Sequence, residues 1–514
     1  MLNLSVLLED AARKYPSKTA YIFGESQFSF AQINGAANQV ANGLAGLGLK
    51  QGDKVAMTCV NAPYFPIIYF GILKAGCSVV PLSVLLKKDE IAYHLSDSDA
   101  KAYFCFIGTP EIPMAKDGLA GFQATPSCDN FFVIMPKPTD ESPFEGVSTF
   151  ASFVKNQAPQ YATVQTEADD TAVIIYTSGT TGRPKGAELT HMNLLMNAVI
   201  GGGLFGVLHE DVFITTLPMF HIFAMTVKMN IGLLKGVTNV LIPRFDPAVV
   251  IQSIAKHKVT VFAGVPTMYW GLLNYQTDEF DVEEALQSLR ICSSGGASLP
   301  VQVLHDFQNR FKVKILEGYG MSEGSPVVTF NHMDKETKPG SVGTALWGIE
   351  VMVSDADGNE VPVGEKGELR YRGHNVMKAY YKKPEATAET IKNGWLCSGD
   401  IAVMDSDRYF YIVDRTKDMV IRGGFNVYPR EVEEVMMQHP AVSMVAVIGM
   451  PDEQYGEEIK ACVVLKEGQS VAESTLIAWT KERLAMYKYP RHIEFMTSLP
   501  MNASGKILKT ALRK

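Results

Sequence analysis

Val173-Ile-Ile-Tyr-Thr-Ser-Gly-Thr-Thr-Gly-Arg-Pro-Lys-Gly186 is the stretch on which the reading of this chain turns. It opens with an apolar, β-rich run ending at Tyr176, which predicts a buried strand. The loop that follows carries three glycines, three threonines, Ser178 and one lysine, Lys185. Such a loop offers backbone N–H groups and hydroxyls to phosphate oxygens, and glycine lets the backbone come close. Lys185 adds a positive charge. The spacing is not that of a Walker A loop, because Gly186 rather than Ser or Thr follows the lysine. A surface turn rich in Ser, Thr and Gly is the plain alternative for this segment taken by itself.

Outward from the loop, short β-rich runs alternate with helical patterns. Residues 54–59 predict a strand, 63–75 a helix and 78–82 a strand. Further on, 212–216, 238–242 and 259–262 predict strands, and 224–234 and 247–257 predict helices. Apolar strands separated by helices imply parallel sheets covered on both faces, and so a large α/β body. The texture changes after about residue 340. Residues 340–372 are rich in Val, Gly and turn pairs such as Asp357-Gly358, and predict antiparallel β, a small β-barrel. Pro429 followed by Arg-Glu-Val-Glu-Glu reads as a helix start, with proline first and acids in the first turn. A boundary at Lys417 then divides the chain into a large N-terminal domain, 1–416, and a small α+β C-terminal domain, 417–514.

Composition narrows the function classes. The chain has 514 residues, 46% of them hydrophobic and 20% charged, which is a globular balance. The net charge of −8 argues against general nucleic-acid binding. The seven cysteines are scattered and form no CxxC pair, so free thiols are expected rather than a disulfide framework or a zinc site. The N-terminus lacks a basic start, and Glu9 and Asp10 interrupt it before a long apolar run forms, unlike a signal peptide. No stretch approaches the ~18 apolar residues that cross a bilayer. A cytoplasmic protein is expected. The basic residues Lys506, Lys509, Arg513 and Lys514 read as a solvated tail, with loose contact to anionic lipid as the alternative.

The loop motif resembles the signature of the adenylate-forming enzymes, which include acyl-CoA synthetases, firefly-type luciferases and peptide-synthetase adenylation domains. Seven further matches follow in the family's order: Pro218-Met-Phe-His221, Gly295-Gly-Ala297, Glu317-Gly-Tyr-Gly-Met-Ser-Glu323, Ser398-Gly-Asp400, Asp414-Arg-Thr-Lys417, Gly423-Gly-Phe-Asn-Val-Tyr-Pro429 and Pro500-Met-Asn-Ala-Ser-Gly-Lys506. The resemblance implies two helix-covered sheets plus a small β-barrel, followed by a mobile C-terminal domain. It implies ATP, Mg²⁺ and coenzyme A as reactants and cofactor. Thr177, Ser178, Gly179, Thr180, Thr181, Gly182 and Lys185 are expected on the β- and γ-phosphates. Gly295, Gly296, Ala297, Glu317, Gly318 and Tyr319 should line the adenine pocket, and Gly320 should also bind the nucleotide. Ser322 should meet the α-phosphate, Glu323 with Thr177 the Mg²⁺, and Asp400 with Arg415 the ribose. A carboxylate plus phosphate oxygens suits that hard cation.

Lys506 is the sharpest implication. By itself a lysine so near the C-terminus reads as solvated. In the family it bridges the substrate carboxylate and the α-phosphate, offsetting charge that grows on phosphorus during attack. Rotation about Lys417 should then withdraw it and bring Gly423 and Gly424 to the coenzyme A thiol. Catalysis is thus expected from Lys506, Lys185, Thr177 and Glu323.

The acyl pocket is expected at Phe220, His221, Phe223, Gly296 and Gly320. No acidic residue follows Phe220, which argues against an α-amino acid substrate. Met219, Ile222, Met225, Val265, Met268, Val327 and Val328 make the surroundings apolar, and the 418–429 segment resembles the fatty-acyl-CoA ligase branch. A medium- or long-chain fatty acid is therefore expected, with an aryl acid, or delivery of the acyl-adenylate to a carrier protein, as alternatives. A monomer or homodimer is expected. Two departures from the family stand out: Leu346 and Trp347 replace its usual prolines, and Ala224 stands where glycine is frequent.

Overall fold

A computed structural model describes residues 2–177 and 183–513. Among these, strands assemble into four sheets. The first runs, in spatial order, Ala379–Tyr380, Lys185–Thr190, Thr171–Thr177, Ser78–Pro81, Lys54–Thr58, Ala100–Phe106, Asn130–Ile134 and Ser148–Thr149. From Thr171–Thr177 onward its neighbours are parallel, whereas the Lys185–Thr190 side is antiparallel. The second sheet has nine strands, with a parallel centre built from Val212–Thr215, Val261–Gly264, Ile291–Ser294 and Ile315–Gly320. One continuous apolar core joins both sheets, from Leu4 through Phe70 and Phe213 to Phe330 and Tyr371. Strands such as Ser78–Pro81 and Ile291–Ser294 are buried throughout, as expected for parallel strands covered on both faces.

Local signals set several element ends. Asp246 caps the helix Pro247–His257 by accepting a hydrogen bond from the Val249 N–H, and Pro247 fits the first turn without a donor to waste. Thr190 and Asn193 form a capping box that starts the helix His191–Leu204 directly after a strand. The region 224–234 departs from a plain helix. Ile222–Ala224 leads into a π-helical stretch, Met225–Asn230, before α-geometry resumes at Ile231–Lys235. The strand expected at 259–262 lies at Val261–Gly264.

The third sheet is antiparallel and contains Ile349–Ser354, Lys366–Gly373, Ile391–Lys392, Trp395–Met404 and Phe410–Arg415. Bulges near Glu368 and Ile401 bend it, giving the small curled β unit. A fourth sheet begins at Val420–Arg422, backed by the helices Pro429–Met437 and Glu473–Lys481. Its own core, around Val432, Val447, Ile459 and Leu476, is separate from that of the body. Leu346 is buried, while Trp347 beside it is 72% exposed. Ala224 is fully buried. Six cysteines are buried and Cys397 is partly so, all as free thiols. Among the described residues no helix is long and apolar enough to cross a membrane.

Candidate active site

The loop that opens the sequence reading joins two antiparallel strands, and no helix starts where it ends. Thr177 and Lys185 are cross-strand partners at its two stems. A phosphate at this place would meet the Thr177 hydroxyl and Lys185 at the stems rather than a helix dipole. Ser178, Gly179, Thr180, Thr181 and Gly182 lie outside the described residues. Glu323 faces the stems from the 3₁₀ turn Ser322–Gly324 and is buried. Its Oε1 accepts hydrogen bonds from Thr177 Oγ1 at 3.2 Å and from the Tyr380 hydroxyl at 2.7 Å. Lys185 Nζ lies 4.6 Å from the centre of the same Tyr380 ring. Burial, and then the Glu323 charge, raise the Tyr380 phenol well above its ordinary range, so it stays a donor.

This donor set fits Mg²⁺. One buried carboxylate and one hydroxyl are hard oxygen ligands, with room for phosphate oxygens to complete the shell. Among the described residues no three His, Cys, Asp or Glu side chains converge, so the arrangement suits a cation that arrives with its nucleotide.

About the other end of the site the groups are held by the curled sheet and the C-terminal segment. Asp400 sits opposite Arg415 in the strand register, and its Oδ1 is 3.4 Å from Arg415 Nε. Its Oδ2 accepts the Tyr319 hydroxyl at 2.6 Å. Ser398 Oγ takes the Asp400 N–H at 3.1 Å and so holds the aspartate's backbone. Lys506 comes from the far end of the chain into this group. Burial, and then Arg415, lower its pKa to about 8, while Asp400 pulls the other way. His221 is pushed down to about 4, by burial first and the Lys506 charge second, so its imidazole is neutral at neutral pH. His221 Nδ1 accepts the Phe223 N–H at 3.3 Å, which puts the ring proton on Nε2.

The lysine is delivered by a small turn. Asn502 Oδ1 accepts from the N–H groups of Ser504 and Lys506 and from the Ser504 hydroxyl. Gly505 follows at φ +81°, packed so closely that a Cβ there would lie 3.1 Å from both Thr267 Oγ1 and Val265 Cγ2. Thr267 Oγ1 donates to the Gly505 carbonyl at 2.9 Å, clasping the turn to the body.

Between the two ends, Gly295 faces Phe223, whose ring would be 3.3 Å from an added Cβ. Gly296 has φ +78° and lies against Val265, and Gly320 is closed off by the Pro326 carbonyl. The Glu317 side chain is buried and turned to the Leu299 N–H at 3.1 Å, so it holds the loop carrying Ala297. Burial pushes its carboxyl up to about 7. Gly318 packs under Phe330, and Ser322 is half-buried beside Glu323. Phe220 and Phe223 are half-buried, and Met219, Ile222, Met225, Val265, Met268, Val327 and Val328 are buried around them. Gly423 and Gly424, both at positive φ, form the exposed tip of the hairpin between Val420–Arg422 and Phe425–Val427, outside this cluster. Lys417 is exposed in the turn between Phe410–Arg415 and Val420–Arg422. Sequence reasoning singled out neither Tyr380 nor Thr267; Tyr380 stands in the run Ala379-Tyr-Tyr-Lys-Lys-Pro384, whose only visible signal is aromatic and basic character.

This curled and doubly sheeted body with a lysine-bearing C-terminal unit defines an ATP-dependent acid-activating enzyme, and comparison with known proteins agrees. Residues 8–381 match the AMP-binding enzyme family, and residues 431–506 match the AMP-binding enzyme C-terminal domain. A long-chain-fatty-acid–CoA ligase of Bacillus subtilis (strain 168) is 36% identical, covering 99% of this chain and 94% of its own. A feruloyl-CoA synthase of an Amycolatopsis species is also 36% identical, over 98% of this chain and 97% of its own. The crystal structure of an anthranilate CoA ligase, AuaEII, in complex with anthranoyl-AMP superimposes with a TM-score of 0.91 at 30% identity, covering 99% and 96% of the two chains. The chain belongs to the AMP-binding enzyme family, in its acyl-CoA synthetase branch. It is an AMP-forming acid–CoA ligase with ATP, a carboxylic acid and coenzyme A as substrates.

Proposed function

We propose that the acid is a medium- or long-chain fatty acid, activated as acyl-AMP with release of pyrophosphate and then transferred to coenzyme A. The observation that carries the chemistry is the Thr267–Gly505 hydrogen bond, which holds the turn bearing Lys506 against the body, where Asp400, Arg415 and His221 feel its charge. The apolar, buried side chains of Met219, Ile222, Met225, Val265 and Met268 support an alkyl chain. So does the fatty-acid ligase of B. subtilis among the relatives. An aryl acid is the second reading, favoured by the feruloyl and anthranilate ligases at equal or similar likeness.

In the proposed mechanism the carboxylate and the triphosphate repel each other as anions. Lys506 and Lys185 offset that repulsion and align the carboxylate oxygen on the α-phosphorus, opposite the bond to the β-phosphate. That bond breaks and pyrophosphate leaves. Glu323 and Thr177 would hold a Mg²⁺ ion, which would supply charge neutralisation on the phosphates. Asp400 and Arg415 hold the ribose, and an ionised carboxylate accepts from both of its hydroxyls. Gly295, Gly296, Ala297 and Tyr319 lie against the adenine and the acyl head. Lys506 neutralises the charge that grows on the pentavalent phosphorus.

The second step needs a different group beside the acyl carbon. Rotation of 417–514 about Lys417 withdraws Lys506 and presents Gly423 and Gly424, whose missing side chains leave room for the pantetheine arm. The thiol sulfur bonds to the acyl carbon, the bond to AMP breaks, and AMP and a proton are released. The test is pyrophosphate release with short, medium, long and aromatic acids, each with and without coenzyme A. Turnover on alkyl acids that rises with coenzyme A supports the reading. Preference for an aryl acid replaces the fatty acid with the second reading. Release that stops at about one equivalent per enzyme and ignores coenzyme A replaces the thiol with another acceptor.

A further inference from the structure

We infer that Tyr380 is a positioning residue that keeps Glu323 and Lys185 apart and aimed at the metal–nucleotide. This rests on the proposed roles of those two groups. A carboxylate and an ammonium brought to the same pocket attract each other strongly at reduced dielectric. Paired, each would spend on the other the charge it needs for Mg²⁺ or phosphate. Tyr380 engages both without neutralising either. Its hydroxyl donates to Glu323 Oε1 at 2.7 Å, and its ring face receives Lys185 Nζ at 4.6 Å. The carboxylate gains a charge-assisted donor, and the ammonium gains the negative face of the ring.

Three constraints fix the ring in this place. Tyr380 pairs with Ala187 on the strand that carries Lys185, so the ring and the lysine share one sheet edge. Its N–H donates to Thr387 Oγ1 at 3.0 Å, and the next residue's N–H donates to the Gly186 carbonyl at 2.8 Å. The side chain is 5% exposed, so it has no solvent-facing alternative. Thr177 Oγ1, the second donor to Glu323 Oε1, comes from the strand on the other side of Lys185–Thr190. The carboxylate is thus oriented before any cation arrives, by two hydroxyls from the strands that flank Lys185–Thr190.

The experiment is calorimetric binding of ATP to the full-length enzyme, without acid or coenzyme A, across a Mg²⁺ series. Tyr380→Phe keeps the ring and the packing but loses the hydroxyl. It should raise the Mg²⁺ concentration for half-maximal ATP binding about tenfold, the effect of one charge-assisted hydrogen bond. ATP affinity at saturating Mg²⁺ should hold within about threefold, because the ring face remains. Tyr380→Leu loses both contacts and should also weaken ATP at saturating Mg²⁺ by about tenfold. Recovery of that second loss, but not the first, in the phenylalanine variant is a pattern that simple packing does not produce. Glu323→Gln is the reference. If it raises the Mg²⁺ requirement while Tyr380→Phe matches the unaltered enzyme, the inference about Tyr380 is overturned and the metal site stands. If Glu323→Gln leaves the requirement unchanged, the assignment of the metal site itself falls and takes Tyr380 with it.

Discussion

The two ends of the candidate site are built in opposite ways. At the phosphate end, Thr177, Lys185, Glu323 and Tyr380 stand on neighbouring strands and a buried turn of the body, joined by two hydrogen bonds and a lysine–ring contact. At the other end, Lys506 arrives on a turn from a unit with its own sheet and core, and the turn's clasp on the body is the Thr267–Gly505 bond. One half of the site is fixed and the other is carried. The difference makes sense for an enzyme that must adenylate and then thioesterify at a single acyl carbon. Groups needed in both steps belong in the body. In the proposed mechanism a group needed only in the first step leaves, and the Thr267–Gly505 bond is one of the contacts it would give up.

The largest break in that comparison comes from Lys506→Ala. Loss of one preorganised charge partner should slow adenylation by a factor of ~10² or more, while thioester formation from supplied acyl-adenylate stays near normal. Pyrophosphate release and acyl-adenylate consumption, measured separately, decide it. Equal losses in both would mean the lysine is not carried but shared, and the contrast drawn above would fail.

The same contrast has a pH signature. In its proposed role Lys506 acts as an ammonium, and burial lowers its pKa in the docked position to about 8. Adenylation by the free enzyme should therefore fall as pH rises through that value, by roughly tenfold between one unit below and one unit above it. The second half-reaction, with the lysine withdrawn, should lack this limb. Lys506→Arg should flatten the profile of the first step, since a guanidinium holds its proton throughout. Next in size is Thr267→Val, which removes the clasp and leaves the chemistry intact. A neutral hydrogen bond of about 1 kcal/mol corresponds to about a fivefold loss in adenylation, with thioesterification spared or quickened. An equal loss in both steps would show that Thr267 supports the body and not the dock.

Much of this arrangement was legible through the resemblance of short motifs to the adenylate-forming family, since by itself a lysine such as Lys506 reads as solvated. Thr177, Lys185, Glu323, Asp400 and Lys506 were each marked from short motifs; the first three meet at one end of the candidate site, and the last two belong to the other. Helix 247–257 was legible for a local reason, the Asp246 cap and Pro247 start. What was hidden depends on distant partners. Thr267 meets Gly505 across 238 positions, and Tyr380 meets Glu323 across 57, with nothing in either neighbourhood to announce the contact. The π-helical stretch Met225–Asn230 was read as ordinary helix, because apolar periodicity does not distinguish the two and the wider turn is set by packing. The strand at 259–262 was displaced toward Gly264 because its pairing with Val212–Thr215 and Ile291–Ser294 chooses the register.

That π-helical stretch also holds the last and smallest test, a lysine of the fixed body with no place in the chemistry. Lys228 is buried and forms no ion pair among the described residues; its Nζ donates to the Val261 carbonyl at 3.0 Å and lies 4.5 Å from the Phe213 ring centre. Lys74, equally buried, has Glu9 Oε1 at 2.6 Å. Burial takes Lys228 from 10.5 to about 7. Since the folded-state pKa lies below the unfolded one, the charged form costs stability in full below about pH 7. Between there and 10.5 the unfolded chain binds more protons, so stability rises with pH, and above 10.5 the cost is gone. Lys228→Met should therefore raise the melting temperature by a few degrees at pH 6, with an advantage that shrinks toward pH 10. A burial-lowered lysine in the carried half titrates activity; this one in the fixed half should titrate only stability. If Lys228→Met instead shifts the pH profile of adenylation, the lysine reaches the site, and the fixed half is less inert than its packing implies.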